Sequence, residues 1–359
     1  MIRFLSKGLM RDRTRSFFPL IVISLTVALV VFGSGFMRGV MNSMLLDTAV
    51  MLTGHEKIVT RAYNEESELM PNDLALLGSG ELIEKLEIEY PGFFWTPRIT
   101  FAGLLDVPDK NGETKAQGPV IAMGIDFFSE ESRQVEIWEL KKSLTEGNLP
   151  SRSNDAIISS KLADQLNVSI GEKVTFIGST MDNAFATYNF YVTGTFNLRK
   201  GQTDRQMMLV DISGARNALD MNNAASAIFG FYHDLYYDDK KTVDLRTSFN
   251  AVNSDSSDMF SPIMLALRDG NQMGSMVDIS NAMLAIMGSI FLIVVMVVLW
   301  NMGPDEWPAS LWRSWSSFSD RRTQRHVYRS LITEALIIGI IGTILGTGKR
   351  NSNYLLRSS

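Results

Sequence analysis

Chemistry in a chain like this would have to come from histidines, paired carboxylates or a phosphate-binding loop. His55, His233 and His326 are its only histidines. They are scattered and lack the spacing of metal ligands. No cysteine is present, which excludes a thiol nucleophile, a disulfide and an iron–sulfur cluster. Asp238-Asp239 and Glu65-Glu66 are adjacent acid pairs. They read as solvated surface rather than general acid and base, and His55 reads as an ordinary polar residue. The string TILGTGKR approaches the phosphate-loop pattern G-x-x-x-x-G-K-[ST], but Thr343 stands at the first glycine and Arg350 at the final hydroxyl position. It also closes a hydrophobic run instead of joining a strand to a helix. The expectation is therefore no catalytic residue, no cofactor-binding residue and no metal ligand. ATP hydrolysis would need a separate nucleotide-binding subunit.

The elements that would have to position any site are segregated by hydropathy, although the chain averages near zero (+0.04). Phe17 to Phe36 is 20 residues without a charge. At about 1.5 Å per residue such a helix spans about 30 Å, a bilayer core. Pro19 falls in its first turn, where the missing N–H costs little. The run is longer than the apolar core of a signal peptide and no A-x-A site follows, so it reads as a retained helix. A second uncharged run extends from Ile279 to Gly303. A third, Ala335 to Gly348, is only 14 residues and reads as the start of a further span. Its Gly342 and Gly346 form a GxxxG, either a close-packing face or a coincidence among membrane glycines. The 20 methionines read as apolar filling.

Charge sets the orientation. Residues 1–49 carry net +4, residues 50–278 net −13 and residues 279–359 net +4. Arg3, Lys7, Arg11, Arg13 and Arg15 precede the first run against Asp12 alone, which places that end in the cytoplasm and the middle region outside. The acidic balance of the middle region argues against nucleic acid as a partner. Segment 1–16 reads either as an amphipathic helix on the inner leaflet or as a plain basic flank.

The middle region alternates strand and helix patterns. GHEKIVT reads as a strand. NDLALLGSGELIEKLEIEY is helix-like, with Leu82, Ile83, Leu86 and Tyr90 near helical spacing. FFWTPRITFAGLLDV and GPVIAMGI read as strands joined by a turn at Asn111-Gly112. DAIISSKLADQLNVSIGEKVTFIG gives strand, short helix, turn and strand, with Ser159 or Ser160 as cap and Gly171 in the turn. ATYNFYVTGTFN places Tyr188, Phe190 and Val192 on one face, and RQMMLVDISGARNAL gives a strand and a helix. This is enough for one large domain or two small ones.

Taken in order, IISSKLADQLNVSIGEKVTFIG, FYVTGTF and QMMLVDISGARNAL resemble the outer domain of the FtsX-like permease family, the transmembrane subunits of MacB/LolC-type ABC systems. The resemblance covers residues 1 to about 302 and resumes near 326 with HVYRSLITEALIIGIIGTILGT. It implies a membrane protein with α-helical spans and a large α+β extracytoplasmic domain like the MacB periplasmic core. The segments are then a cytoplasmic N-terminus at 1–16, a first transmembrane helix with its extension at 17–49, the outer domain at 50–278 and a second span at 279–303. A cytoplasmic coupling region at 304–328, a partial third span at 329–348 and an aberrant tail at 349–359 complete it.

In this family the coupling region resembles R..EIG..RA.GA. Here GPDEWPASLWRSWSSFSDRRTQ stands in its place, with Trp307, Trp312 and Trp315. Tryptophan has one codon, TGG, which becomes a glycine codon in the +1 frame. In that frame Leu311 to Thr323 is compatible with Y-G-E-V-G-A-R-L-A-I-G-E, which has the family's form. Pro304 to about Gln324 thus reads as a frame-shifted stretch from sequencing error or gene decay, the alternative being a divergent cytoplasmic loop. KRNSNYLLRSS reads as a second shift that removes the remaining spans.

The resemblance implies a non-catalytic permease subunit in a bacterial inner membrane, with ATP and Mg²⁺ bound by a partner ATPase. It also implies a homo- or heterodimer with another permease and a periplasmic lipoprotein or adaptor as a further partner. GHEKIVTRAY points toward lipoprotein release rather than amphiphile export. The alternative is a membrane-anchored sensor with the same two spans and outer domain, which would need a signalling helix where the third hydrophobic run stands.

Overall fold

The computed structural model describes residues 13–198, 205–270 and 273–301. The sequence readings of 304–328, of the third hydrophobic run with Gly342 and Gly346, of His326 and of the tail 349–359 lie outside the described residues. The chain divides into two units, one of residues 1–41 and 276–359, the other Asn42–Ser275.

The first unit contains most of helix α1 (Arg13–Thr48). Ser24–Thr53 and Met273–Val297 are long and apolar enough to cross a membrane. Leu25, Leu29, Phe32 and Phe36 lie exposed along one side of α1, at spacings of four, three and four that keep them on one helical face. In this same unit a Cβ on Gly33 would meet Met287 Cε at 2.8 Å, a contact the flexible end of the methionine could relieve by shifting.

The second unit follows from a turn of π-helix, Ala49–Thr53. In chain order come β1 (Glu56–Thr60), α2 (Arg61–Glu65), β2 (Leu76–Leu77), α3 (Ser79–Glu89), β3 (Phe93–Pro108) and β4 (Thr114–Ile125). Two single-turn helices, α4 (Gln134–Ile137) and α5 (Leu140–Ser143), lead to β5 (Leu144–Gly147) and β6 (Asp155–Ser159). Then follow α6 (Ser160–Leu166), β7 (Lys173–Ser179), β8 (Phe185–Phe196), β9 (Met207–Asp211), α7 (Ile212–Leu219), β10 (Ala224–Ala225) and β11 (Ala227–Tyr232). The unit ends with α8 (Asp239–Asn253) and β12 (Pro262–Ala266), and the chain continues into α9 (Met273–Asn301).

Strand β3 organises this unit because its 16 residues serve two cores. Its second half pairs with β4 and β7. With β4–β9, β9–β6, β6–β8 and β8–β7, these pairings close a ring of six strands. Closure leaves no free edge inside the ring, and Phe101, Leu105, Val174, Phe176, Phe190, Val192, Met208 and Val210 fill it. The first half of β3 pairs with β11, which continues through β1 to β12. Ile58, Leu86, Phe93, Trp95, Ile228, Phe249 and Met264 form the second core on one face of these four strands, under α3 and α8. The alternation of β3 keeps one side apolar throughout, which is why a single strand can leave one core and join another.

Local signals behave as the sequence predicts in several places. Ser159 accepts from Leu162 N at 3.1 Å and caps α6. Leu82, Ile83, Leu86 and Tyr90 all face the second core. Phe190 and Val192 are buried in the ring with Tyr188 packed against it. Strand β11 and helix α8 have no counterpart in the sequence reading.

Candidate functional site

The residues that carry the chain from α1 into the domain, and those that lead out toward α9, lie side by side. β1 pairs antiparallel with β12 from Glu56↔Ala266 to Thr60↔Pro262. Beyond the ladder, Leu267 N donates to His55 O at 3.0 Å, and a Cβ on Gly270 would be 3.2 Å from Thr53 Cγ2. The turn after β12, Leu267–Asp269, is held by Asp269 Oδ2 accepting from Ala266 N at 2.9 Å. Four features converge on this joint.

The first is a cation at the end of the helix. Gly54 N donates to Ala49 O at 2.7 Å, closing the π-turn. The carbonyls of Val50 and Met51 then point past the helix end, where orphan carbonyls need donors. Arg98, 1% exposed, supplies them: its Nη1 donates to Val50 O at 2.5 Å and to Met51 O at 3.3 Å. Nη2 donates to Gln134 Oε1 at 3.0 Å, and the same oxygen accepts from Trp138 Nε1 at 3.1 Å. The guanidinium lies 4.3 Å from the centre of the Phe229 ring and 5.1 Å from that of Trp138. Burial pushes its pKa below the ordinary value, yet an arginine remains a cation at neutral pH. A positive charge at a helix C-terminus is favoured by the helix dipole.

The second feature is Gly54 itself, at φ +62°, ψ −177°. A Cβ there would sit 2.3 Å from Glu56 O, so only glycine makes this corner.

The third is His55, fully buried. The reading of it as an ordinary polar residue is corrected here: Tyr232 N donates to its Nδ1 at 3.2 Å, and Phe231, Tyr232 and Tyr237 surround its ring. Burial lowers its pKa to about 4, against a smaller opposing effect of Asp234. His55 is therefore a neutral acceptor in an aromatic box.

The fourth is Glu56, also fully buried, whose two carboxyl oxygens have no hydrogen-bond partner. Burial raises its pKa to about 10, with Asp269 adding to the rise and Arg246 opposing it. Arg246 on α8 pairs with Asp269, and Arg268 pairs with Asp239 at 2.7 Å. Asp239 also accepts from Tyr237 OH at 2.9 Å. Asp238 accepts from Lys241 N at 3.2 Å and caps α8. The reading of Asp238-Asp239 as solvated surface is thus corrected for Asp239, which is half-buried and ties α8 to Arg268 in the turn after β12; Asp238, its side chain 42% exposed, only caps α8.

The structure does not bring the remaining singled-out residues together. Glu65 and Glu66 are exposed. His233 is exposed, with its Nε2 3.2 Å from Pro91 O. Among the described residues no group of three or more His, Cys, Asp or Glu is arranged to hold a metal. A cleft of about 830 Å³ lies beside residues 43–47, lined among others by Leu46, Asp47, Phe128, Arg133, Glu136 and Lys141. It mixes both signs of charge, and Arg133 is already committed to Glu136 at 3.0 Å.

Arg98, Gln134 and Trp138 escaped the sequence reading. The one signal was a basic residue inside the otherwise uncharged strand FFWTPRITF. Gln134 and Trp138 gave none, because their role exists only once α4 packs beneath β3.

Residues 16–276 match the family model of the MacB-like periplasmic core domain. No curated protein matches the chain. Among solved structures, it is similar to the periplasmic region of MacB from Actinobacillus actinomycetemcomitans, at 12% identity and a TM-score of 0.40 over 61% of this chain and 92% of that one. It is also similar to the extracellular domain of the noncanonic ABC-type transporter YknZ from Gram-positive bacteria, at 14% identity and a TM-score of 0.38 over 58% of this chain and 98% of that one.

Proposed function

Because this chain belongs to the MacB-like periplasmic core domain family, among the MacB/FtsX-like ABC transporter permeases, we propose that it couples ATP hydrolysis by a partner ATPase to motion of its outer domain. On this reading α1 and α9 cross the bilayer, residues 1–16 face the cytoplasm and the β-rich unit lies outside. Closure of the ATPases moves the helices, and the helices move the domain. A lipoprotein, an amphiphile or a periplasmic partner is then displaced, lipoprotein release being the favoured case. The working form is a dimer with a second copy or a related permease.

One observation supports this reading above the others: β1 and β12 are neighbours in one sheet. Displacement of either helix end therefore loads the same ladder, and Arg98 transmits it onward to β3, which runs on into the ring of strands. A flexible tether would not need a buried guanidinium at its foot.

The absence of cysteine gives a clean test. Single cysteines, Ser257→Cys on the exposed loop after α8 and Ser6→Cys near the N-terminus, are treated with a membrane-impermeant maleimide in right-side-out vesicles. Labelling at 257 with protection at 6 is expected. The reverse pattern ends the proposal. Retention of a nucleotide-binding subunit through purification of the detergent-solubilised chain tests the ATPase partner.

A further inference from the structure

The Glu56 carboxyl sits in a row of four strands, Ala266–Glu56–Gly230–Trp95, set by the pairings of β12, β1, β11 and β3. None of its neighbours in that row is hydrogen-bonded to it: the one polar group there, Trp95 Nε1, is itself buried without a partner. Ala266 is a methyl group. Gly230 has no side chain, and the Trp95 indole lies across it, so that a Cβ there would be 2.4 Å from the ring. Along the same face, residues at every second position are Ile58, Ile228, Phe93 and Met264, all in the second core. Phe93 and Tyr232 meet there at a tilt, with ring centres 4.2 Å apart. Above lies α8 with Phe249 in the core and Leu245 packed against it.

The ionisable groups around Glu56 come from every packed element. Tyr232 on β11 is close enough for Glu56 to raise its pKa, as Asp238 and Asp234 do, and its hydroxyl also has no partner. α8 brings Arg246, and the turn after β12 brings Asp269; these two are paired with each other. β12 contributes only Met264 and Ala266, while α3 turns apolar residues and Tyr90 inward and keeps Glu84, Lys85 and Glu87 exposed. His55 and Lys57 lie on the opposite face of β1 by strand alternation. Among the described residues no unpaired cation therefore meets Glu56, and a carboxylate buried without one takes up a proton instead.

We propose that Glu56 is a proton-held latch: its carboxyl stays neutral while β1 lies under α8, and separation of β1 from α8 releases that proton to solvent. The raised pKa agrees with the geometry. Glu56 is two residues after the Gly54 corner and directly opposite Ala266, so the latch sits where the two helix-bearing ends are joined. Opening the joint would expose a carboxylate that ionises at once at neutral pH and resists return. Acid favours the closed joint and base the open one. The latch is independent of the transport reading, since it concerns the domain's own β1–α8 contact whatever the helices transmit.

The test is hydrogen exchange of the full chain in nanodiscs between pH 6.5 and 8. After correction for intrinsic chemistry, opening of β1, β12 and α8 is expected to rise with pH near 7, toward a limit of about tenfold per pH unit, the slope of one proton released. At the lower end of that window His55, whose ordinary value is 6.5, takes up part of a proton on opening and opposes the rise. Lys57, lowered to about 8 by burial and Arg98, opposes it again as the pH nears 8, so the slope is greatest near pH 7. Glu56→Gln, which is neutral at every pH, is expected to lose this rise and to exchange more slowly at pH 8. An equal slope in Glu56→Gln, or none in the unaltered chain, overturns the proposal. Infrared spectra of the unaltered chain need no variant. A protonated-carboxyl band at pH 7.5 that shifts on ¹³C-glutamate labelling is expected, and its absence overturns the proposal equally.

Discussion

His55 and Leu267 are joined by a backbone hydrogen bond of 3.0 Å, carbonyl to amide. One residue has just left the first apolar helix region and the other is about to lead to the second. The pair extends the β1–β12 ladder one step beyond Glu56↔Ala266. Arg98, Gly54 and His55 then become parts of a single joint, and each can be tested.

Arg98 replaced by methionine would leave the Val50 and Met51 carbonyls and Gln134 Oε1 without their donor. The expected loss is about 2–4 kcal/mol, from hydrogen bonds to a charged group together with ring contacts. Arg98→Lys keeps the charge but not the planar fork and should fall between. Thermal unfolding of the purified full chain measures both, and equal midpoints for all three proteins would remove Arg98 from the joint.

Gly54→Ala introduces a side chain into a backbone region that is almost confined to glycine and drives it against Glu56 O. The cost should exceed about 2 kcal/mol. Protease cleavage between residues 54 and 62 should accelerate, since β1 must shift to relieve the clash. Unchanged cleavage would mean that the corner relaxes without disturbing β1.

His55 makes the domain sensitive to acid. Its folded pKa, about 4, lies below the ordinary 6.5, so the unfolded chain binds the extra proton between these values. Stability is complete above pH 6.5 and falls as the pH drops toward 4, by roughly 3 kcal/mol. Glu56 acts in the opposite sense over the overlapping range above its ordinary 4.5, so the two partly offset. Glu56→Gln should therefore expose the His55 slope, and Glu56→Gln with His55→Gln should abolish it. Denaturant titrations from pH 4 to 7 read both.

The stretch 304–324 makes a prediction at the level of DNA. Codons 311–323, read in the +1 frame, are expected to encode the E-V-G-A-R-L-A-I-G string. Codons unable to do so end the frame-shift reading. The chain as it stands should neither stimulate nor respond to its ATPase, whereas a chain carrying the repaired segment should. Normal stimulation by the unrepaired chain would show that the segment is a working divergent loop.

Much was fixed by local pattern alone. Uncharged runs long enough for a bilayer, their basic flanks, the strands of β3, β4 and β6 to β9 and the cap at Ser159 each depend on neighbours within one turn or one strand. So does the exclusion of a phosphate loop. The order of these patterns carried the family resemblance.

Tertiary structure decided the rest, because the joint is built from residues far apart in the chain. Whether His55 is wet or dry depends on Phe231, Tyr232 and Tyr237. Whether Glu56 ionises depends on β11, β12 and α8 burying its carboxyl with no hydrogen-bond partner. Arg98 is an ordinary strand residue until the helix end arrives to use it. Periodicity shows which face a side chain takes, but burial and charge state follow from what is laid against that face, and only the folded sheet brings β1, β12, α4 and α8 together.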